Sequence, residues 1–548
     1  MKIDERDLDG FASQIVDQCI GTRRDRIPAY NSLRHYYLFG AQEGQQAPYN
    51  KMYPHIDLLS SFLYSQSTVE YDIEVTNVAD EVVNQANLIT GRLNRYFHDS
   101  GTAEKYLQAL KWSLVYNTMH LKFLWTRDGL RPYLVEPHNF GVLREDVPDL
   151  YDQEAFTHSY VVSKDELARR VSVLPNSADI MRRVTTSPHV SEDAFPESIH
   201  RLIVAGTANF TSSTTRGLVN IPELFTQLQY KPKTTAETVE MHELWVWDDD
   251  KDDYRTITVA APGVVIYGRQ NIGNLCGVKG EQPFVKICPN ELYDYYFGWP
   301  EVVSLIKLQD WMTQRLREIR YLLSKQANPS KAIAGFGGIT DEKIAAFDVP
   351  GGWLSEPNPN AKIEYISPEM PNDIWHEIIM LQSMYNDVSG LSEVLQGHGE
   401  SGVRAKSHAD TLARLGSARI RQRAQSVEGS LEVVGDLMLK MMKAKDPYKY
   451  NSKNPFTAAQ FTDDFRVKVD AHSASPVFVD DHMQLAFMLR KAGAIDTMSL
   501  IDLTKPPRPE LIKQRLKAQE AARAAQVQKM MAAGVMPGGK GGLKSVTG

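Results

Sequence analysis

Apolar side chains recur every three or four positions along three stretches between residues 301 and 444, the spacing that places them on one face of an α-helix. The first stretch has its stripe at Leu305, Leu308, Met312, Leu316, Ile319 and Leu323. The second has it at Ile374, Ile378, Leu381, Tyr385 and Val388 and continues through Leu391 and Leu395. The third has it at Leu412, Leu415, Ile420, Ala424, Val427, Leu431, Val434, Met438 and Met441. The pattern therefore predicts three long helices.

Two interruptions separate these helices. Residues 331–366 contain glycines and prolines around short runs such as Lys331–Ala334 and Lys362–Ile366, which predict strands of a small β-containing module. Residues 397–402 read Gly-His-Gly-Glu-Ser-Gly, the letters of a dinucleotide-binding turn. That turn requires a strand before it and a βαβ unit around it, whereas a helix precedes these glycines. We therefore interpret the second interruption as a flexible loop.

The first 300 residues predict a mixture of helices and strands. Helical patterns cover residues 11–39, 53–64, 82–97 and 102–117. Strand patterns cover residues 69–75, 121–125, 133–136, 239–247 and 254–260, and Asp128-Gly129 is a favoured hairpin turn between two of them. Residues 175–235 are polar and weakly periodic, so we expect an excursion with one or two short helices.

Composition narrows the class of protein. With 548 residues, 42% hydrophobic and 24% charged, the chain has room for roughly three or four cores. Its net charge of −7 gives no overall sign of nucleic-acid binding. The chain has three cysteines without C-x-x-C spacing, namely Cys19, Cys276 and Cys288. We therefore expect neither a disulfide framework nor a zinc site, and we expect the protein to mature in a reducing compartment. A charged start and the lack of a long apolar run lead us to expect a soluble cytosolic product.

Searches for catalytic motifs end without a site. Residues 534–540 spell most of a phosphate-binding loop, but Gly541 stands where the magnesium-binding hydroxyl belongs. His242-Glu243 begins a zinc-hydrolase motif, and Val246 occupies the place of its second histidine. The acidic run 248–253 lacks the order of an EF-hand, so we expect a solvated hairpin loop. We expect no cofactor and no metal, and an enzyme only if its site is assembled from residues distant in sequence.

A local excess of positive charge follows the glycine-rich break. Residues 404–423 include one acidic residue, Asp410, and six basic residues, namely Arg404, Lys406, Arg414, Arg419, Arg421 and Arg423. Helical spacing puts Arg414 and Arg421 on one side and Arg419 and Arg423 on another. These arginines either form a solvated or salt-bridging helix face or contact a phosphate backbone. Arg404 and Lys406 lie in the predicted loop and are freer to reach such a ligand.

The order of elements resembles a tailed-bacteriophage portal protein, the head-to-tail connector at one capsid vertex. The resemblance extends over nearly the whole chain and rests on short segments in a fixed order. They are residues 111–125, Val135-Glu136-Pro137, Pro283-Phe284, Phe297-Gly298-Trp299-Pro300, Gln309 within a long helix, and Asn328-Pro329 at its end. Trp299-Pro300 departs from a small-hydroxyl preference of the family after the glycine, which puts the branch of the family in doubt.

The resemblance implies an α+β, mainly helical, ring-forming fold with a wing, a helical stem, a small β-containing clip and a helical crown. The wing would span residues 1–300 and the stem helices 301–327 and 369–396. The clip would span 328–368, the tunnel loop 397–408, and a long wing helix with its return strand 409–470. Residues 471–548 would form the crown, with a flexible tail.

The same resemblance implies a non-enzymatic virion component, made in the host cytoplasm, that forms a channel for packaging and ejection of double-stranded DNA. Its partners would be copies of itself in a ring of about twelve, DNA without sequence preference, the terminase large subunit, capsid and scaffold proteins, and head-completion or tail adaptor proteins, with no membrane. The implied DNA-facing residues are Arg404, Lys406 and His408, with Arg414 and Arg421 as channel-lining candidates. The loop hinge would be Gly397, Gly399 and Gly402, and the clip would dock terminase or adaptor through Lys331, Phe336, Trp353 and Glu356. The alternative is a cytosolic oligomeric enzyme.

Overall fold

The structure is a computed structural model that describes most of the chain. The described residues are 3–42, 47–65, 69–76, 79–126, 129–184, 237–271, 279–327, 329–334, 340, 342, 360, 362–366, 368–371, 373–390, 418–450, 456–461, 465–469, 486–497, 500–501, 512, 515–516 and 518–519. They fall into two compact units, Met1–Ala474 and Ser475–Gly548. The described part of the first unit is α+β, with more residues in helices than in strands.

Nine helices of the first unit are described. They are α1 (Leu8–Phe39), α2 (Met52–Leu63), α3 (Asp80–Asp99), α4 (Thr102–Tyr116), α5 (Lys164–Val171), α6 (Ser177–Arg183), α7 (Glu301–Ala327), α8 (Asp373–Ser389) and α9 (Ala418–Lys445). The described strands are β1 (Tyr71–Val75), β2 (Met119–Thr126), β3 (Gly129–Val135), β4 (Phe140–Val142), β5 (Ala155–Ser163), β6 (Thr238–Asp248), β7 (Asp253–Ala260), β8 (Val264–Asn271), β9 (Phe284–Ile287), β10 (Ser330–Ala334), β11 (Lys362–Ile366), β12 (Lys449–Tyr450), β13 (Phe456–Thr457) and β14 (Phe465–Val469).

A five-stranded antiparallel sheet in the order β4-β5-β6-β7-β8 carries α1 on one face. Apolar side chains of α1, including Ile15 and Cys19, are buried against Leu244 and Ile257 of the sheet. The helix lies so close that a Cβ on Gly141 would stand 2.6 Å from the carbonyl oxygen of Cys19. Burial also raises the pKa of the Cys19 thiol to about 12, so this cysteine serves as a small apolar side chain.

The hairpins predicted from the sequence are confirmed. Strands β2 and β3 pair from His120 and Val135 to Thr126 and Gly129, and β9 adds a third strand beyond β2. Strands β6 and β7 pair up to Asp248 and Asp253, so residues 249–252 form the predicted hairpin loop, whereas Asp248 and Asp253, expected to be solvated, are buried at the strand ends. The second residue of the failed zinc-hydrolase motif, Glu243, instead pairs with Lys122 and His158. Burial disfavours ionisation of Glu243, yet the adjacent Lys122 and His158 lower its pKa to about 2.

Helix α9 is deeply buried along one side. Its apolar side chains at Val427, Leu431, Val434 and Met438 are almost completely inaccessible. It contacts α2, α3, β2, β9 and β14, and β14 pairs with β1 nearly 400 residues earlier in the chain. The helix therefore joins segments that are far apart in the sequence into one core.

The end of the second long helix differs from the predicted one, and some strands were not predicted. The second long helix was expected to continue through Leu391 and Leu395, but α8 ends at Ser389 because Gly390 adopts a left-handed conformation with φ of 71°. A residue with positive φ after the last turn is a common helix terminator. The pattern also missed β5 and β8, whose polar and apolar side chains do not alternate strictly.

The second unit is described at a few positions only. Residues 486–491 are helical, as are the described residues between 512 and 519. The phosphate-loop-like letters at 534–540 lie outside the described residues.

Candidate functional site

Residues 301–389 form a helix–hairpin–helix unit, in which α7 and α8 flank a small β-hairpin. Strands β10 and β11 are antiparallel, with Ser330 opposite Ile366 and Ala334 opposite Lys362. Helix α7 ends at Ala327, two residues before Pro329, and a proline disfavours helical conformation in the residue that precedes it. The predicted β-containing module between two helices is therefore present, with its paired strands at the residues that the sequence indicated.

Polar contacts join α7 to α8 and to the segment that precedes α8. The Arg315 guanidinium donates through Nε to a carboxylate oxygen of Glu377 at 2.8 Å. Near the hairpin, Gln326 Nε2 donates to the carbonyl oxygen of Pro368 at 3.1 Å. Leu381 and Tyr385 of α8 and Leu305, Met312 and Ile319 of α7 are buried.

A buried amide attaches α7 to the rest of the first unit. The Gln309 side chain is fully buried, and its Nε2 donates to the carbonyl oxygen of Tyr49 at 2.7 Å. Its Oε1 accepts from the backbone N–H of Lys51 at 3.1 Å. At the next residue of α7, Asp310 accepts a hydrogen bond from the hydroxyl of Tyr36 of α1 at 3.1 Å. The side chain of Gln309 thus supplies hydrogen-bond partners for two backbone groups of the segment before α2.

Helix α8 also carries exposed apolar side chains outside its buried residues. We call these side chains together the α8 outer surface; they are Trp375, Ile379, Met380, Met384 and Val388. Helix α7 also exposes Trp311, Tyr321 and Leu323. Several large exposed apolar side chains on one pair of helices, unlike single scattered ones, indicate a candidate interaction surface.

The two helices carry opposite charge. Helix α7 has five basic residues and three acidic ones. Helix α8 has three acids, Asp373, Glu377 and Asp387, and neither lysine nor arginine. An α8 from one copy of the chain would therefore be electrostatically complementary to an α7 from another.

A buried polar junction lies at the base of the unit, where α7 begins. Glu301 is 3% exposed, and its Oε2 lies 2.8 Å from Nη2 of Arg423. Nδ2 of Asn290 donates to the same oxygen at 3.1 Å, and Nε2 of His55 lies 3.8 Å from Oε1. Burial disfavours ionisation of Glu301, but contacts with His55 and Arg423 outweigh it and hold its pKa below the usual value.

Most site residues predicted from the sequence lie outside the described residues. They are Phe336, Trp353 and Glu356 of the expected clip, Gly397, Gly399 and Gly402 of the expected hinge, and Arg404, Lys406, His408 and Arg414. Lys331 lies in β10 and Arg421 in α9, but the structure describes only the backbone of these two. Their assignments therefore stay predictions.

Arg423 is the member of the basic cluster whose side chain is described, and it has a structural role. It is largely buried and pairs with Glu301 and Asn290, which fits the salt-bridging interpretation of the helical arginines. Sequence reasoning missed Glu301 as its partner, because the two residues lie 122 positions apart. The one available signal was an acid at the first position of a helix, where it is favourable beside the helix dipole.

Neither a membrane-spanning helix nor a metal-binding group occurs among the described residues. No described helix is long and apolar enough to cross a membrane. Within the same residues, no group of three or more histidine, cysteine, aspartate or glutamate side chains could hold a metal ion.

Comparison with known proteins gives only distant structural similarity. No protein-family model and no curated protein matches the sequence. A chain from the virion of a native gene transfer agent particle is similar at 12% identity and a TM-score of 0.42, over 89% of this chain and 99% of the other. A chain from the neck of an empty gene transfer agent particle is similar at 11% identity and a TM-score of 0.41, over 83% of this chain and 90% of the other. Both TM-scores are below 0.5, so neither similarity carries weight in the proposals that follow.

Proposed function

We propose that this chain is a portal protein, a subunit of the ring at one capsid vertex of a tailed-phage-like particle through which double-stranded DNA is packaged and later ejected. The observation that carries the proposal is the helix–hairpin–helix unit with its α8 outer surface. In this assignment α7 and α8 are the stem, residues 328–368 are the clip, and residues 397–408 are the tunnel loop. The ordered sequence segments that resemble the portal family support the same assignment.

Ring assembly follows from the α8 outer surface and from the charges. Exposed apolar side chains on a helix that already packs through its other residues need a partner to remove them from water. The opposite charges of α7 and α8 make another copy of the same chain the fitting partner. Such a contact joins two different surfaces, and a rotation that closes on itself repeats it into a ring. We propose a ring of about twelve subunits.

Passage of DNA requires weak contacts with phosphate groups, repeated around the channel. Many weak and sequence-blind contacts allow the polymer to slide, whereas one tight cluster would hold it in place. Arg404, Lys406 and His408 are the proposed loop contacts, with Arg414 and Arg421 as further channel-lining candidates. The terminase large subunit would supply the energy for packaging and dock at the clip, where Lys331, Phe336, Trp353 and Glu356 are the candidate contacts. Capsid, scaffold and tail adaptor proteins would be its other partners in the virion.

The test of the proposal has two parts. Negative-stain imaging and native mass spectrometry of the full chain should show rings of uniform size; monodisperse monomers or dimers at every salt concentration would refute ring assembly. Arg404→Ala combined with Lys406→Ala should then leave the rings intact and reduce nuclease-protected DNA in a packaging assay. Loss of rings in that variant, with soluble protein, would make the pair structural rather than DNA-facing.

A further inference from the structure

Glu301 connects four separate parts of the first unit through one buried carboxylate. It is the first residue of α7, and it contacts Arg423 of α9, Asn290 of the loop before α7, and His55 of α2. A buried carboxylate is stable only when cations and hydrogen-bond donors compensate its charge, so its partners must stay in place. The positions of these elements are therefore interdependent.

On the α9 side, a chain of hydrogen bonds holds the first turns of the helix. Nε of Arg423 donates to Oδ1 of Asn290 at 2.9 Å, and Nδ2 of Asn290 also donates to the carbonyl oxygen of Trp299 at 3.2 Å. One turn further on, the Ser426 hydroxyl donates to the carbonyl oxygen of Cys288 at 3.0 Å. The start of α9 is thus attached to the loop that leads into α7.

On the α8 side, the same junction reaches the last turns of the helix. The His55 ring packs edge to face against Tyr385, with ring centroids 6.0 Å apart. Nζ of Lys51 lies 5.0 Å from the Tyr385 ring centroid and donates to Oδ1 of Asn386 at 3.3 Å. Beyond Asn386, α8 ends at Ser389.

The end of α8 and the start of α9 also meet at one cleft. Val388 and Gln422 both line a cleft of about 560 Å³, together with Glu301, Arg423 and Trp299. The two helix ends that bound residues 391–417 are therefore held on either side of Glu301.

We propose that Glu301 is a positioning residue that fixes the end of α8 and the start of α9 together, and so sets where both ends of the 391–417 connection stand. It acts through Arg423 on α9 and through the His55–Tyr385 contact on α8. The local claim is independent of the proposed function; its importance for DNA rests on that function, because the connection contains the proposed tunnel loop.

Hydrogen exchange of the purified full chain tests the proposal. Glu301→Gln keeps the shape of the side chain and removes its charge, which weakens charge-assisted bonds to Arg423 and Asn290. Amides of residues 381–389 and 423–430 should then exchange faster, on the order of tenfold or more. Peptides from the five-stranded sheet should keep their exchange rates.

Glu243→Gln is the matched control, because Glu243 is also a buried carboxylate that pairs with a cation and a histidine. It should accelerate exchange in β5 and β6 and leave residues 381–389 and 423–430 unchanged. Unchanged exchange at either helix end in Glu301→Gln would overturn the proposal. Equal acceleration of all peptides would also overturn it, since that result indicates general destabilisation.

A second variant covers the case in which Glu301→Gln fails to fold. Arg423→Gln removes the cation that pairs with Glu301, so residues 423–430 should exchange faster. Wild-type exchange there would overturn the proposal as well. Neither measurement uses DNA or requires rings. The exchange rates therefore test the role of Glu301 even if the proposed portal function is wrong.

Discussion

Replacing Ile379 and Met380 with lysine should prevent ring assembly while leaving the fold of the subunit intact. Both side chains lie on the α8 outer surface, with exposures of 63% and 52% in the single chain. Substitutions at exposed positions of a helix usually change the free energy of unfolding by less than about 0.5 kcal/mol, and lysine is a good helix former. The single subunit should therefore be nearly as stable as a wild-type subunit outside the ring.

The effect on assembly follows from the area that a neighbour would cover. The exposed fractions of the five side chains of the α8 outer surface together amount to about two and a half whole side chains. At about 2 kcal/mol for each fully buried apolar side chain, complete coverage would contribute about 5 kcal/mol to each subunit contact. The two substitutions remove about 2 kcal/mol of this and place two ammonium groups in the interface, at a cost of several kcal/mol each if they stay buried. The contact then no longer favours association.

Lysine is a more disruptive substitution than glutamate at these positions, because α7, the proposed partner of α8, is the more basic of the two helices and would repel it. If α8 of one copy packs on α7 of the next, Ile379→Glu with Met380→Glu should weaken the rings less than the lysine pair does. Val173→Lys is the control, since Val173 is 82% exposed and lies outside the helix–hairpin–helix unit.

Size-exclusion chromatography with light scattering, followed by native mass spectrometry, measures the outcome. We expect folded monomers for the lysine pair and wild-type rings for the control, with an unfolding temperature of the lysine pair that is lower only by the lost subunit contact. Rings of unchanged size and salt resistance in the lysine pair would refute the proposed role of the α8 outer surface.

Two further predictions concern the stability of the first unit. Gly435→Ala should destabilise it by about 1–3 kcal/mol, because the new Cβ would stand 2.5 Å from the Tyr71 ring. Gly429→Ala lies in the same helix, and its new Cβ would have nothing within 4 Å, so this variant should be more stable by up to about 1 kcal/mol. Thermal unfolding compares the two, and the reverse order would contradict the packing of α9 on β1. Burial is the main cause that lowers the pKa of both His120 and His158, so below pH 6.5 the unfolded chain takes up protons that the folded chain does not. Stability should therefore fall as the pH falls, by up to about 1.4 kcal/mol per histidine for each pH unit, with a shallower fall in His158→Gln. Urea unfolding between pH 7.5 and 5.5 measures this, and a flat profile would contradict it.

Local patterns were enough to predict the helix–hairpin–helix unit. The three-and-four spacing of apolar residues and the Asn328-Pro329 stop predicted α7, and the runs 331–334 and 362–366 predicted the two strands that pair. These signals are local because backbone hydrogen bonds in a helix, and the side-chain alternation of a strand, depend on near neighbours in the chain. The end of α8 was predicted less well, since its apolar spacing continues beyond Gly390, where the backbone turns.

Which partner each side chain meets was decided only by the tertiary structure. Spacing placed Arg423 on a helix face but could not show that Glu301, 122 residues earlier, would neutralise it inside the protein. Nor could it separate the buried from the exposed apolar side chains of α8, because both are equally apolar in sequence and only the packing of the helix buries some of them. The pairing of β1 with β14 is of the same kind. Periodicity determines which residues share a face, whereas the choice of what covers that face depends on contacts between segments that the sequence keeps far apart.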